Sequence, residues 1–416
     1  MQHLLIRSGV NPYDSYSTRE YLSRDLGGGN SGNLLFAASV FRNVYREDRK
    51  LDSNYYSLDL SKIDEINEKY TAFICPLANA FRENFREIGP LTQFIKKLKI
   101  PCVVTGVGGQ FEYDPNFDNS FEFDEKSKEF CYAVLDKSET IGVRGEITAT
   151  YLKKRLGIPE SRIEVIGCPS LFYFGDKAPE LKRYSEYIDS SVSFHGGASA
   201  EKKVWSDILN VAKYSKKRYF VPQANYDLNI LYNGIPFKKL SNAYPTSLQH
   251  PLYKHDKVRF FTRADSWIHF YQKNIDYSIG IKIHGTIAAI LGGCRTLLIG
   301  TDSRTRELAE FHHIPLVKYD AYKSIYELMD KMTDPHSMDD FYNAYKEGFD
   351  NFKLFMKKNG VLIDKLNSKI ENVGMIEKYD EGDVTPFMRL NSDQKIIRIE
   401  EVYKTFQNKI SVLKKK

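Results

Sequence analysis

The sequence lacks the cysteine spacing that a zinc site requires. Neither a Cys-x-x-Cys pair nor a zinc-type Cys/His spacing occurs in its 416 residues, so we expect no metal site. Most of the cysteines lie in or beside apolar stretches, which is typical of buried free thiols in a reducing cytoplasm. We therefore predict a cytoplasmic location. The five cysteines are Cys75, Cys102, Cys131, Cys168 and Cys294.

Long apolar runs are also missing. No stretch reaches the roughly 18 residues that a membrane-spanning helix needs. Residues 1–16 lack the apolar core of a signal peptide, so we expect none there. The net charge is +6, with much of it in the C-terminal tail. No basic stripe with interleaved aromatics occurs before that tail, so we expect no nucleic-acid partner, whereas a mildly positive chain suits an anionic substrate.

Common catalytic motifs are absent as well, since neither a Gly-x-Ser-x-Gly elbow nor a P-loop occurs. The sequence shows instead a repeated alternation of apolar strands and amphipathic helices, which is typical of parallel sheets. This pattern predicts an α/β fold of two doubly wound domains that face a central cleft. We place the first domain at 1–180, a polar linker at 175–190, the second domain at 190–335, and C-terminal helices at 336–416. Strands are predicted at 70–76, 101–110, 140–146, 162–170, 192–197, 218–223, 257–262, 277–283, 296–299 and 315–317.

The most informative stretch is 276–300. An apolar strand ending at Ile283 meets His284-Gly285 and passes into a helix that Gly292-Gly293 end. Open α/β sheets bind ligands at this carboxyl edge, where helix N-termini favour an anion. On an extended segment, Lys282 and His284 point to the same face because they are two residues apart.

Three further residues lie at or just after the ends of predicted strands, namely Arg304, Arg144 and His195. Cations, a histidine and helix N-termini at one edge suit a small dianion carrying phosphate or carboxylate. The histidine is then the natural proton donor or acceptor. Other interpretations stay open: His284 as a helix cap, Arg304 as a solvated helix residue, and Arg144 as an interdomain ion pair. His195 precedes two glycines, which leave space beside an imidazole.

Two glycine-rich corners complete the candidate residues. Residues 27–33 form a glycine-rich turn before an apolar helix that Asn30 or Asn33 could cap. A structural turn and a ligand-facing loop fit this stretch equally well. A second corner at 106–110 carries the free amide of Gln110.

These motifs together resemble the polysaccharide pyruvyl transferase family over residues 25–320. The family has an Arg-x-His-Gly corner, a small-residue helix, a strand and then a basic residue, in the order found here. The matching residues are Lys282-Ile283-His284-Gly285, Thr301-Asp302-Ser303-Arg304, His313-Ile314-Pro315, Gly32-Asn33, the corner at 106–110 and Val143-Arg144-Gly145-Glu146. The tail beyond about 335 lies outside the likeness.

The resemblance implies a GT-B-like fold and phosphoenolpyruvate as donor, with no cofactor. The implied product is a cyclic pyruvate ketal across two hydroxyls of a hexose, in a surface polysaccharide or its lipid-linked precursor. His284 matches the catalytic histidine, and Arg304 and Arg144 match basic donor contacts. Lys282 stands where the family usually has arginine, so the bidentate fork for a carboxylate is lost. We add Gly285 and His195 to the donor site, and assign Asn30, Gly32, Asn33 and Gln110 to the acceptor.

Two rival functions stay open. A GT-B glycosyltransferase using a nucleotide sugar would share the fold and a basic pocket. A non-catalytic scaffold of glycan assembly would suit the tail, although clustered cations argue against it.

The tail itself, 395–416, is amphipathic, with apolar residues such as Ile396, Ile399 and Tyr403 on one stripe. We favour docking of this stripe on the protein or a partner, because Glu400 and Glu401 dilute its positive charge. The other interpretation is peripheral contact with the inner face of the cell membrane.

Overall fold

Two separate parallel sheets carry the fold. The computed structural model describes residues 2–237, 244–363 and 383–414. The strands are β1 Gln2–Ile6, β2 Arg49–Ser53, β3 Ala72–Pro76, β4 Asn79–Phe81, β5 Cys102–Thr105, β6 Gly108–Gly109, β7 Ile141–Val143, β8 Ile163–Val165, β9 Ser191–His195, β10 Lys217–Phe220, β11 Tyr277–Gly280, β12 Arg295–Gly300 and β13 Leu316–Lys318.

Helices surround both sheets. They are α1 Thr18–Ser23, α2 Gly32–Val44, α3 Ile63–Lys69, α4 Ile88–Lys97, α5 Asp124–Leu135, α6 Glu146–Lys154, α7 Lys202–Lys213, α8 Asn225–Leu228, α9 Pro251–Lys254, α10 Ala264–Asn274, α11 Ile283–Leu291, α12 Ser303–His312, α13 Ile325–Thr333, α14 Asp339–Lys358 and α15 Ser392–Lys414. A π-helical turn spans Asn229–Asn233.

The first domain is built on the strand order β2-β1-β3-β5, with all neighbours parallel. The short parallel pairs β4-β6 and β7-β8 lie beyond it. Strand β1 is central in this sheet, yet the sequence did not predict it. Its five residues begin with Gln2 and His3, so its apolar part is too short to stand out.

The second domain is built on the strand order β10-β9-β11-β12-β13, again all parallel. The predicted doubly wound α/β architecture with C-terminal helices is therefore confirmed. The predicted strand at 257–262 is wrong, because in this stretch only Val258 makes an isolated bridge, to Phe220. The stretch is apolar because Phe260 and Phe261 fill two different cores, one on each side of the chain.

The two domains are joined at both ends of the cleft between them. At one end, Asn30 forms an antiparallel bridge with Ala224. At the other end, the Glu307 carboxylate of α12 accepts bonds from the N–H and hydroxyl of Thr148 in α6, both at 2.9 Å. Burial raises the pKa of Glu307 to about 7. These contacts fix the two carboxyl edges facing each other.

Helix α14 packs back onto the first domain. Its Phe352 ring stacks on Phe172 at 5.6 Å, and its Tyr345 hydroxyl donates to the Gly175 carbonyl at 2.9 Å. At the end of the helix, Asn359 donates to the Thr140 hydroxyl at 3.1 Å. The aromatic spacing along this helix thus serves core packing, as expected for residues four apart on one face.

The last helix, α15, docks through a different face from the predicted apolar stripe. Arg398 lies 3.8 Å over the Tyr232 ring, and Glu401 pairs with Arg19 at 2.9 Å. Three residues of the stripe are open, with Ile396 55%, Ile399 56% and Tyr403 62% exposed, whereas Val402 is half-buried. The sequence could not reveal this, because which helix face is buried depends on the partner surface. Residues 364–382, which fall within the region predicted as C-terminal helices, lie outside the described residues. In the described part of the chain, no helix is long and apolar enough to cross a membrane.

Candidate active site

The central corner begins earlier in the chain than the sequence predicted. Strand β11 ends at Gly280, and α11 already begins at Ile283. Lys282 is extended and precedes the helix, whereas His284 lies within its first turn. The two side chains nevertheless line the same cleft. The shared face therefore arises from the strand-to-helix turn and not from an extended segment.

The cleft holds about 760 Å³ between the carboxyl edges of the two sheets, which is the size of a typical ligand site. Most of the predicted site residues line it: Lys282, His284, Arg304, Arg144, Asn30, Asn33 and Gln110. The segment that follows strand β3 supplies a further wall that the sequence analysis missed. That wall carries Asn79, Arg82, Asn84 and Arg86. The signal was available, because these residues follow a buried strand just as Lys282 does.

His284 is a half-buried imidazole at the base of the cleft. Its Nε2 lies 3.9 Å from the Cys168 Sγ, and the Phe36 ring lies 6.5 Å away. Burial, with a smaller effect of the nearby Arg144 cation, lowers the pKa of His284 to about 3. The imidazole is therefore neutral at neutral pH. An anion bound beside it would raise this pKa and favour the imidazolium.

Gly32 makes room for His284. It is the first residue of α2, and a Cβ at this position would lie 2.6 Å from the His284 Nδ1. The sequence placed Gly32 in an acceptor-binding loop. In the structure it lies in the first helical turn and packs on the imidazole. Its neighbours Asn30 and Asn33 line the cleft, and the side-chain Oδ1 of Asn30 accepts from the Gly32 N–H at 2.8 Å.

His195 lies beneath the corner and is fully buried. Its Nδ1 accepts the backbone N–H of Lys282 at 3.1 Å, and its Nε2 lies 3.4 Å from the Thr286 hydroxyl. Burial lowers the pKa of His195 to about 3, so the ring is neutral. The sequence assigned His195 to the donor site, but its ring nitrogens face protein atoms. We therefore correct its role to a positioning residue.

Gly285 serves the same packing. A Cβ at Gly285 would lie 2.6 Å from the His195 ring and 2.8 Å from the Gln223 amide. Only the backbone of Gly285 could therefore contact the donor, because glycine has no side chain and the His195 ring leaves no room for one. Gly280, at the end of β11, also faces the His195 ring.

Replacing His195 by phenylalanine should destabilise the corner. The Lys282 N–H would lose its acceptor while remaining shielded from water, so we expect the free energy of unfolding to fall by about 1–3 kcal/mol. His195→Asn, which keeps an oxygen near the Nδ1 position, should lose less. Chemical denaturation of both variants measures the difference. Equal stability of the phenylalanine variant and the parent would contradict this role.

Arg144 is buried at the first-domain side of the cleft. Its Nε and Nη2 lie 3.4 Å from the Gly106 carbonyl oxygen. Burial lowers the pKa of this guanidinium, while the charge of Glu307 acts in the opposite direction. Arg144 thus lines the cleft and also interacts electrostatically with Glu307, the carboxylate that links the two domains. The two interpretations of this residue, a ligand contact and an interdomain partner, are compatible in this geometry.

Arg304 lies at the start of α12, on the second-domain side. Its Nε donates to the Asp302 carboxylate at 2.9 Å. Asp302 is also the N-cap of α12, where its carboxylate accepts from the Thr305 N–H at 3.1 Å. Arg304 is therefore held at the helix N-terminus and not free in solvent. Within the described residues, no group of three or more His, Cys, Asp or Glu side chains is placed to hold a metal ion.

Comparison with solved structures gives distant likenesses, with TM-scores below 0.5. A UDP-GlcNAc 2-epimerase from Neisseria meningitidis, bound to UDP-GlcNAc, is 10% identical over 86% of this chain and 100% of that chain, with a TM-score of 0.46. A UDP-GlcNAc 2-epimerase from Methanocaldococcus jannaschii, in complex with UDP-GlcNAc and UDP, is 11% identical over 86% and 100%, with a TM-score of 0.45. Likenesses this distant carry no argument about chemistry.

Comparison with known families is more specific. No curated protein matches this chain. The family model described as polysaccharide pyruvyl transferase, however, matches residues 30–303. That span is more than half of the 416 residues, and it contains His284, Lys282, Arg144 and the second half of the glycine-rich turn, from Asn30 to Asn33. The chain therefore belongs to the polysaccharide pyruvyl transferase family, and is a transferase.

Proposed function

We propose that this enzyme moves the enolpyruvyl group of phosphoenolpyruvate onto two hydroxyls of a hexose in a surface polysaccharide or its lipid-linked precursor. The product is a pyruvate ketal. The observation that carries the proposal is that His284 lines the same cleft as two cationic side chains, Lys282 and Arg144. Phosphoenolpyruvate carries a phosphate and a carboxylate, and both anions need such partners.

The proposed reaction has a simple proton balance. One acceptor hydroxyl forms a C–O bond to the central carbon of phosphoenolpyruvate, while a proton is added to its methylene carbon. The bond from the central carbon to the phosphate oxygen then breaks, and the second hydroxyl adds to the same central carbon to close the ring. The two hydroxyl protons end on the new methyl group and on the released phosphate. His284 carries a proton in this sequence, since the anionic donor favours its imidazolium form.

Lys282 supplies a point charge for the donor. Its side chain packs beside Gly197, where a Cβ would lie 2.9 Å from the ammonium nitrogen. Burial lowers the pKa of Lys282, with Arg304 adding to the effect. A bound anion would reverse this shift because it favours the ammonium. A single ammonium gives less orientation than the arginine fork usual in the family, so other groups must fix the angle of the donor.

The acceptor is proposed to lie along the first-domain wall. Asn30, Asn33 and Gln110 line the cleft there. Amide side chains both donate and accept hydrogen bonds, as sugar hydroxyls require. The mechanism as proposed uses no cofactor.

A lipid-linked acceptor would place the enzyme at a membrane surface. We propose that the open stripe of α15 makes this contact. Replacing Ile396, Ile399 and Tyr403 together by serine should weaken binding to vesicles containing anionic lipid by at least about tenfold. Co-sedimentation measures this, and Ile188→Ser, an exposed isoleucine of the linker, is the control. Equal binding of the triple variant and the parent would contradict the contact.

The reaction is tested by phosphate release from phosphoenolpyruvate. Galactosides, mannosides and N-acetylhexosaminides, free and lipid-linked, are offered as acceptors, and the products are weighed by mass spectrometry. Transfer adds about 70 Da to one acceptor, the mass of pyruvic acid less water, and this gain should depend on His284.

The other outcomes separate the rival functions. Transfer of a sugar from a nucleotide sugar, without any gain from phosphoenolpyruvate, would contradict the proposal and establish a glycosyltransferase. Failure to bind either donor would also contradict it and favour the scaffold. Calorimetry with each donor therefore accompanies the turnover assay.

A further inference from the structure

Two arginines from opposite domains meet at one amide inside the cleft. One terminal atom of the Asn79 side chain lies 3.1 Å from the Arg304 Nη1 and 3.2 Å from the Arg82 Nη1. Both guanidinium groups are donors, so this atom is the carbonyl oxygen of the amide. Gln110 lies 3.1 Å from the same atom. Asn79 and Arg82 belong to the first domain, whereas Arg304 belongs to the second.

The charges of this cluster are only partly balanced, because Asp302 pairs with Arg304 through its Nε and Nη2, whereas no carboxylate bonds to Arg82 among the described residues. A neutral amide oxygen stands between two cations, where an anion would be more favourable. Burial lowers the pKa of Arg82, and the charge of Arg304 lowers it further. Glu87, whose charge acts on Arg82 in the opposite direction, is itself bonded to Arg7. The Arg82 Nε is buried and has no hydrogen-bond partner among the described residues.

We propose that Asn79, Arg82 and Arg304 form a clamp for a phosphoryl dianion that bridges the two domains. A guanidinium holds phosphate oxygens through two parallel N–H bonds, and Arg82 has an unused Nε for this purpose. The clamp lies in the same cleft as Lys282 and His284. The inference rests on the proposed function for the carrier of the phosphoryl group, namely phosphoenolpyruvate. Gln110 then contacts the donor side of the cleft and not the acceptor alone.

The division of roles follows from the geometry. Arg82 and Arg304 take the phosphate, which leaves Lys282 and Arg144 for the carboxylate of the donor. Because the clamp has one arginine from each domain, the dianion links the domains directly. Arg82 is then a donor-binding residue, and it is not among the residues on which the resemblance to the family is based.

The first test uses inorganic phosphate, whose binding does not depend on turnover. In calorimetry with the full-length protein, Arg82→Gln should weaken phosphate binding at least about tenfold, because a charge-assisted bond pair is lost. Arg82→Lys, which keeps the charge without the fork, should retain part of the affinity. In the turnover assay, Arg82→Gln should raise KM for phosphoenolpyruvate by a similar factor while KM for the acceptor stays unchanged.

The second test places a negative charge of the protein itself between the two arginines of the clamp. Asn79→Asp places a carboxylate between the two guanidinium groups, so it should abolish phosphate binding and raise the melting temperature. Asn84→Asp, the same charge change on the same wall, is the matched control and should weaken phosphate binding much less. Both residues line the cleft.

The outcomes distinguish the clamp from the proposed reaction. Unchanged phosphate affinity in Arg82→Gln would overturn the clamp even if pyruvyl transfer is observed. A rise in KM for the acceptor alone would also overturn it, because the phosphoryl group would then belong to the acceptor. Loss of phosphate binding in Arg82→Gln supports the clamp even if phosphoenolpyruvate is not the donor.

Discussion

Replacing His284 by glutamine is expected to lower kcat for pyruvyl transfer by about 10²–10⁴-fold, the usual contribution of a general acid–base group. Glutamine fills much of the same space and keeps a polar group near the Nε2 position, so the fold should survive. The imidazole lies in the first turn of α11, beside the cationic Arg144 and Lys282. The mass gain of the acceptor and the release of phosphate both report the loss.

The control for this prediction is His250→Asn. His250 caps α9 through its Nδ1, which accepts from the Leu252 N–H at 3.2 Å, and asparagine can replace that cap. This variant should keep full activity. Activity of His284→Gln within threefold of the parent, with the same melting temperature, would show that His284 is not the proton carrier.

The pH dependence gives a separate check on the same residue. With a pKa of about 3, His284 stays neutral in the free enzyme across the neutral pH range. Its titration should therefore cause no rise or fall of kcat/KM with pH in that range. In the donor complex, the anion raises this pKa. If the imidazolium donates the proton, kcat should fall as pH rises through the raised pKa. The His284→Gln variant should lack that fall.

Replacing Gly32 by alanine is expected to lower kcat by at least about tenfold, because a displacement of about 1 Å at a reacting group can cost up to 100-fold. The added methyl carbon would lie 2.6–2.7 Å from three atoms of His284, which is closer than packed carbon atoms allow. Either the imidazole or the start of α2 must move. We also expect a lower melting temperature, although alanine is otherwise favoured in a helix.

The chain offers a matched control in Gly89→Ala. Gly89 also lies in the first turn of a helix of the first domain, α4, but a Cβ there meets nothing within 4 Å. This variant should keep its activity and gain about 0.5–1 kcal/mol of stability. A fully active Gly32→Ala variant would contradict the close packing of α2 against the catalytic corner.

The His284 and Gly32 variants test the same contact from both of its residues. The two residues are 252 positions apart in sequence but pack against each other in the fold. The resemblance to the family brought both into the candidate site. The resemblance could not show that Gly32 is needed to leave room for the His284 imidazole. A glycine in a motif predicts either a ligand contact or a close approach of another group, and only the neighbour decides which.

The sequence alone was enough to predict the α/β architecture and the edge at which the site lies. Strand and helix periodicities are local, and parallel strands bring their carboxyl ends to one edge. Lys282, His284, Arg144 and Arg304 accordingly line one cleft, while their roles in the reaction stay predictions.

The tertiary structure decided how each side chain is used. In the fold, His195 lies beneath the corner and bonds to the Lys282 backbone. Arg82 and Arg304, from different domains, lie close to the same Asn79 amide. Helix α15 packs through Arg398 and not through its apolar stripe. Each of these outcomes depends on a surface that lies far away in the sequence. The periodicity of a segment shows which of its residues share a face, but the packing partner determines which face is buried and where its polar groups find hydrogen bonds.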